Sequence, residues 1–134
     1  MAEIVHLTAE TVKAIHQEVL HQHGGLDGLR DEGLLLSAVS SPQATWGGEP
    51  LFSDPMQAAA AYLFYLCKNH PFNDGNKRTA LACCLVVLKA NHLIPQPNII
   101  AKNPLAWERF TLEVAEGKIN REETAAKLQA LLTP

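Results

Sequence analysis

The sequence predicts an all-α protein, a compact bundle of about six helices with two of them at its centre. Three observations support this fold class. Helix-capping and helix-breaking residues recur along the chain, two long segments are apolar on every side, and no stretch alternates convincingly between apolar and polar residues as a half-buried strand would. A helix without a polar face is buried on all sides, so the two apolar segments belong in the middle of the bundle.

The N-terminal third predicts two helices. Thr8 is suited to cap the first helix, and the pair Gly24-Gly25 ends it. Asp31 is suited to cap a shorter second helix. That helix ends near Pro42, because the residue before a proline avoids the helical region.

Residues 43–52 predict a loop or a small hairpin. Gly47 and Gly48 adopt positive φ angles readily, as a two-residue hairpin turn requires. We therefore expect these two glycines to form the turn of this segment.

The two apolar segments predict the central helices. Asp54 and Pro55 form a cap and a first helical residue, and the helix that they open runs to about Asn69. The apolar run of the second central helix covers residues 79–89, and Lys77 and Arg78 precede it in the first turn.

The C-terminal part predicts two further helices. Residues 95–98 are expected to form a loop, after which Asn103-Pro104 starts a helix that Gly117 ends. Asn120 and Glu123 have the spacing of a capping box, which opens the last helix.

The composition is that of one soluble globular domain, residues 1–134. The chain is 47% hydrophobic and 19% charged, with a formal net charge of -3. This charge argues against a dedicated nucleic-acid-binding protein. A helix-turn-helix DNA-binding module is the main non-enzyme alternative, but the second central helix is too apolar to serve as its exposed recognition helix. We expect a cytoplasmic protein, because the chain has no apolar run of ~20 residues and no secretory signal at its start. Three cysteines in apolar stretches are expected to be reduced core thiols: Cys67, Cys83 and Cys84.

The segment between the central helices, residues 70–79, contains residues whose positions the stability of the fold alone does not explain. Lys77 and Arg78 fall in the first turn of a helix, where the macrodipole makes cations unfavourable by about a few tenths of a kcal/mol each. An anion on the helix end reverses this, since N–H groups and both cations then converge on phosphate oxygens. Gly75 allows a close approach of the backbone to such a ligand. Asn76 is a natural N-cap, and its side chain can fix the loop or reach the ligand.

The same segment supplies groups for chemistry. His70 can accept a proton near neutral pH, and Asp74 is an oxygen ligand suited to Mg²⁺ that bridges phosphates. Each residue alone has an ordinary structural explanation, as a C-cap, a turn residue or a solvated charge. Their occurrence in one loop favours a site for phosphoryl or nucleotidyl transfer, although the segment does not match a Walker P-loop. Phe72 is expected to anchor the loop to the core.

The remaining histidines do not suggest a metal site. His16, His21 and His23 lack the four-residue step that places two ligands on one helix face, and His6 and His92 stand alone. We expect them to be surface residues.

The string HPFNDGNKR, residues 70–78, resembles the signature of the Fic/Doc family, H-P-F-x-[DE]-G-N-[GK]-R, and in particular its Doc (death-on-curing) toxin branch. Residues 24–31, Pro42-Gln43, Gly47-Gly48 and residues 115–119 are also similar to family sequences. The resemblance covers roughly residues 4–132 and implies the all-α Fic fold.

This resemblance implies a role for each residue of the signature. His70 would be the base that activates a hydroxyl of a target protein, and Asp74 would be the Mg²⁺ ligand of an ATP-dependent enzyme. The resemblance also implies an anion hole for the nucleotide, formed by Gly75, Asn76 and Arg78. The segment of residues 43–52 would be a flap that holds the extended backbone of the target, with its tip at Thr45, Trp46, Gly47 and Gly48.

Two positions are typical of the Doc branch. Lys77 replaces the glycine of AMP-transferring members, and Leu81 replaces their second arginine. The branch implies transfer of the γ-phosphate to a Ser or Thr hydroxyl of elongation factor Tu, which arrests translation. Lys77 would act both in catalysis and in nucleotide binding, because it adds a positive charge where a further phosphate would lie. Gly75 follows the wider Fic pattern, whereas the best-known Doc toxin has alanine there. AMP transfer, or nucleotide binding without catalysis, therefore remains an alternative.

The family also suggests how such a toxin is inhibited. Many Fic proteins have an inhibitory helix with the pattern [ST]-x-x-x-E-[GN], but four residues separate Thr111 from Glu116 in this chain. We therefore expect this helix to belong to the core. Inhibition is expected to come from a separate antitoxin, a segment of which docks in a groove.

Overall fold

The computed structural model describes residues 3–94 and 98–133 and has the all-α architecture that the sequence predicts. Within these residues there are seven α-helices, one 3₁₀ turn and one hairpin. The helices are α1 (Ala9–His23), α2 (Glu32–Ser40), α3 (Pro55–Asn69), α4 (Asn76–Ala90), α5 (Ile99–Lys102), α6 (Pro104–Ala115) and α7 (Arg121–Leu132). The 3₁₀ turn covers Ser41–Gln43, and the hairpin consists of β1 (Thr45–Trp46) and β2 (Glu49–Pro50).

The capping residues explain most of the helix boundaries. Each cap side chain accepts a hydrogen bond from a backbone N–H of the first turn. These caps are Thr8 for α1, Asp31 for α2, Asp54 for α3 and Asn120 for α7, the last in a complete capping box with Glu123. The predicted starts of these four helices are confirmed.

The short helix α5 is absent from the sequence-based prediction. Its N-cap, Asn98, makes no side-chain capping bond, and four residues are too few to show a helical period in the sequence. Residues 95–97 of the predicted 95–98 loop lie outside the described residues. The prediction that residues 1–134 form a single domain stays a prediction.

Helix α3 occupies the centre of the bundle. It packs against α2, α4, α6 and α7, and every residue from 58 to 63 is buried. Helix α4 is less central than predicted, because it buries only one side and leaves Val86 38% exposed on the other.

The three cysteines are free and buried, as predicted. Burial raises the pKa of the Cys67 thiol and of the Cys83 thiol to about 12, and it also raises the pKa of Cys84. Thiols that remain protonated are poor nucleophiles, so these residues serve as small core hydrophobes. None of the helices in the described part of the chain is long and apolar enough to cross a membrane.

A buried phenol joins the N-terminal segment to the base of the flap. The Tyr62 hydroxyl oxygen accepts hydrogen bonds from the Leu7 backbone N–H (3.1 Å) and from Gln43 Nε2 (3.3 Å). The hydroxyl also lies 2.9 Å from His6 Nδ1, and a neutral imidazole with Nδ1 unprotonated accepts its proton. His6 is half-buried, so the prediction that it is a surface residue is wrong.

This arrangement predicts a loss of stability in mild acid. Burial lowers the pKa of His6 below its ordinary value of 6.5, so the unfolded chain binds the proton more tightly than the folded one. The contribution of neutral His6 to the free energy of unfolding is complete above pH 6.5, and it is lost as the pH falls below this value. We expect the free energy of unfolding from urea titrations to fall between pH 7 and 5. In His6→Asn, which keeps an acceptor but does not titrate, this fall should be smaller; an equal fall would contradict the assignment.

Candidate active site

The loop between α3 and α4 begins and ends in left-handed backbone conformations. His70 ends α3 with a φ of 46°, and Gly75 precedes α4 with a φ of 74°. Between them Phe72 is only 3% exposed, which confirms that it anchors the loop to the core. The side chains of His70 and Asp74 are exposed. The loop therefore presents its reactive groups to solvent on a fixed backbone.

The segment after α1 braces the start of this loop. The Arg30 guanidinium donates to the backbone oxygens of His70 (2.6 Å) and Asn69 (2.8 Å), the last carbonyls of α3. The backbone N–H groups of Arg30 and Asp31 both donate to the Pro71 oxygen. A cation at a helix C-terminus is favourable. Arg30 thus holds His70 in its left-handed conformation, a role that sequence reasoning missed.

Asp74 is held from two sides by backbone N–H groups. Its Oδ2 accepts from Leu26 N (3.0 Å), and its Oδ1 accepts from Gly75 N (2.9 Å). These two bonds, that from Leu26 first, lower the pKa of Asp74, with a smaller contribution from the nearby Arg78 charge. Each carboxylate oxygen keeps a lone pair towards solvent. An ionised and oriented carboxylate of this kind fits Mg²⁺, which usually binds one or two carboxylates together with substrate phosphates.

The start of α4 has no side-chain cap among the described residues. The N-cap is Gly75, so the prediction that Asn76 caps this helix is wrong. Asn76 is the first helical residue, and its side chain turns back to Phe72, accepting from Phe72 N (3.0 Å) and donating to Phe72 O (2.9 Å). These bonds close the loop on itself and leave the backbone N–H groups of the first turn of α4 available to a ligand.

Lys77 and Arg78 lie in this uncapped first turn. Both side chains are exposed, and within residues 3–94 and 98–133 neither forms a salt bridge. Two unpaired cations therefore stand beside the positive end of a helix dipole. The combination can bind an oxyanion, and phosphate in particular.

His16 contradicts the prediction that it is a surface residue. It lies on α1, it is 2% exposed, and it contacts the loop that carries Asp74. The signal was present in the sequence, because His16 follows the buried Val12 by four residues and therefore shares its helix face. The other two histidines of this helix, His21 and His23, are exposed as predicted.

The predicted hairpin is confirmed at residues 45–50. Thr45 pairs with Pro50 and Trp46 with Glu49, and the two turn glycines have φ angles of 58° and 83°. Trp46 is 80% exposed. Among the described residues, no backbone hydrogen bond joins this flap to the loop of residues 70–75. That the two segments act together stays a prediction.

Comparison with known proteins decides the family. The model of the Fic/DOC family matches residues 6–88, a span that includes the flap, the loop and most of α4. The chain belongs to the Fic/DOC family. The match places the braced loop and the uncapped helix start within the part of the chain that defines a Fic/DOC domain.

Two curated Fic/DOC relatives extend the comparison. Protein kinase doc of Escherichia phage P1 is 35% identical over 126 residues, which cover 94% of this chain and 94% of that protein. Toxin Doc of Mycolicibacterium smegmatis is 46% identical over 68 residues, which cover 51% of this chain and 52% of that protein. The similarity to the phage protein thus extends beyond the signature to α6 and α7.

The brace of Asp74 can be tested at Gly25 in this Fic/DOC chain. A Cβ at Gly25 would lie 2.8 Å from Asp74 Oδ2, whereas a Cβ at Gly24 would meet nothing within 4 Å. Both glycines have positive φ angles, so both alanine variants strain the backbone. We expect Gly25→Ala to displace the carboxylate and Gly24→Ala to leave it in place. If Asp74 holds Mg²⁺, Gly25→Ala should lower Mg²⁺-dependent activity about 10- to 100-fold and Gly24→Ala should retain it. Measured Mg²⁺ dependence that is equal in the two variants would contradict the proposed position of Asp74.

Proposed function

We propose that this chain is a Doc-type toxin: a Mg·ATP-dependent protein kinase that phosphorylates a Ser or Thr hydroxyl of a translation factor, elongation factor Tu, and so arrests translation. The names of its relatives support the class, since one is called a protein kinase and the other a toxin. Lys77 and Leu81, the residues typical of the Doc branch, support phosphoryl rather than AMP transfer.

The start of α4 is the observation that carries this proposal. A helix start without a side-chain cap, followed by Lys77 and Arg78 without salt bridges in the described residues, is stabilised when an anion binds there. A triphosphate supplies several oxyanions in a row. The backbone N–H groups of Gly75 and Asn76 lie at the same point, although Gly75 N already donates to Asp74.

The residues of the loop divide the chemistry of transfer between them. His70 takes the proton of the target hydroxyl as the hydroxyl oxygen attacks the γ-phosphorus. The His70 side chain can reach a target because it is exposed at the end of a helix that Arg30 braces. Asp74 would hold Mg²⁺, and the ion would supply positive charge that neutralises the phosphates during transfer. Lys77 and Arg78 bind the phosphates and stabilise charge on the oxygens as the bond to ADP breaks.

The flap provides a place for the target. Its strands have only two residues each and leave backbone groups available to an extended peptide, as in β-augmentation. The exposed Trp46 indole would contact apolar side chains of that peptide. We also propose that a small antitoxin inhibits the enzyme through a segment that docks in a groove, and that the toxin acts in the cytoplasm, where its target is found.

Gly75 favours a second candidate, because this residue follows the pattern of AMP-transferring members of the family. In that case the α-phosphate would face the target hydroxyl, and the product would be an AMP ester. A third possibility is that the pocket binds nucleotide without catalysis.

One assay separates these functions. The protein is incubated with Mg·ATP and elongation factor Tu, and the mass of the intact target is then measured. The proposal predicts a gain of one phosphate. A gain of one AMP would support the second function instead, and an unmodified target together with bound nucleotide would support the third.

A further inference from the structure

His16 is a polar side chain buried at the back of the candidate site. It lies in the middle of α1, is 2% exposed and shares a helix face with Val12 and Val19. A buried polar group costs free energy unless it forms a hydrogen bond. The contacts of His16 therefore indicate what this residue does.

Two contacts of the His16 ring are made to the loop between α3 and α4. Its Nε2 lies 2.8 Å from the backbone oxygen of Asp74. A carbonyl oxygen only accepts, so Nε2 carries the proton and donates it. The ring also stacks on Phe72, with centroids 3.8 Å apart and planes 6° apart. One side chain thus contacts the apolar anchor of the loop and the backbone of its acidic residue.

The bond to the Asp74 oxygen fixes more than one atom. The peptide group is planar, so the orientation of the Asp74 carbonyl also sets that of the Gly75 N–H. That N–H donates to Asp74 Oδ1, and Gly75 is the residue from which α4 starts. His16 thus orients the peptide that connects the carboxylate to the start of the helix.

We propose that His16 is a positioning residue, which holds the Asp74–Gly75 peptide so that the carboxylate and the first turn of α4 face Mg²⁺ and phosphate together. This role rests on the proposed function. His16 does not touch the nucleotide or the target, and it acts through Asp74 and Gly75. Groups that orient a metal ligand from outside typically change metal affinity or activity about 10- to 100-fold when they are removed.

The first test is a spectroscopic one on the wild-type protein. A long-range ¹H–¹⁵N spectrum reports which ring nitrogen of a histidine carries the proton. The proposal predicts an Nε2–H tautomer for His16 in the absence of any ligand. An Nδ1–H tautomer would overturn it, because Nε2 could then not donate to Asp74.

The second test separates the donated bond from packing. His16→Phe keeps an aromatic ring against Phe72 but removes the donor, whereas the amide nitrogen of His16→Gln reaches about as far as Nε2. We expect His16→Phe to weaken Mg·ATP binding in calorimetry and to raise the Mg²⁺ concentration for half-maximal transfer about 10- to 100-fold. We expect His16→Gln to recover most of this loss. His21→Phe, on the exposed part of the same helix, is the matched control and should behave as wild type.

The outcomes distinguish the two proposals. If the wild type binds Mg·ATP and His16→Phe has an unchanged Mg²⁺ requirement, the role of His16 is overturned and the proposed function stands. If the wild type does not bind Mg·ATP, the proposed function fails and this role fails with it. Should His16→Phe not fold, His16→Gln and the shorter His16→Asn replace it, and equal Mg²⁺ requirements in these two variants would overturn the role.

Discussion

Replacing His70 with alanine is expected to abolish transfer to the target while leaving nucleotide binding almost unchanged. The side chain is exposed, so its removal leaves no cavity, and the contacts of Arg30 go to backbone oxygens that the variant retains. A general base typically increases the rate of the catalysed step about 10²- to 10⁴-fold. A fall of this size in kcat, measured by the mass of the modified target, would identify His70 as the base.

The chain offers a matched control for this experiment. His92 is also exposed and also has a left-handed backbone, with a φ of 61°. His92→Ala therefore reproduces the conformational cost of the substitution away from the site and should keep wild-type transfer. Wild-type turnover in His70→Ala would remove this histidine from the mechanism, and a loss of Mg·ATP binding in His70→Ala would show that the residue acts in binding instead.

Replacing Lys77 with glycine is expected to destroy phosphate transfer or to shift the product towards an AMP ester. Lys77 stands in the first turn of α4 without a salt-bridge partner in the described residues, where it would bind one more phosphate than an AMP-transferring site requires. Removal of one preorganised group that stabilises transition-state charge typically costs about 10²–10³ in kcat. The mass of the modified target reports the amount and the identity of the product in one measurement.

Glycine also loosens the helix, and this effect needs its own control. A glycine within a helix costs about 1 kcal/mol relative to alanine. Lys89→Gly places the same residue in the last turn of α4, away from the loop, and should leave product and rate unchanged. Lys77→Ala removes the charge without the glycine and should lose phosphate transfer as well. A phosphorylated target formed at the wild-type rate by Lys77→Gly would contradict our account of what separates phosphoryl from AMP transfer.

The helices and the flap could be predicted from the sequence because their signals are local. Thr8, Asp31, Asp54 and Asn120 cap the helices that they were expected to cap, and the two flap glycines form the expected turn. A cap depends on a side chain and an N–H group within three residues of each other. Such pairs can be found in a sequence without knowledge of the fold.

The supports of the site could not be predicted, because they join distant parts of the chain. Arg30 contacts His70 across 40 positions, and His16 contacts Asp74 across 58. Asn76 has the composition of an N-cap, but tertiary context turned its side chain towards Phe72 and gave the cap position to Gly75. Sequence reasoning therefore identified the exposed residues of the loop and its apolar anchor Phe72. It missed His16 and Arg30, which hold the loop from distant parts of the chain.

A crystal structure of His70→Ala with Mg·ATP tests the central claim most directly, since this variant should bind the nucleotide without turning it over. The claim predicts phosphate oxygens on the backbone N–H groups of the first turn of α4, with Lys77 and Arg78 beside them and Mg²⁺ on Asp74. Nucleotide bound at another place, or a helix start covered by the protein's own side chains, would contradict it.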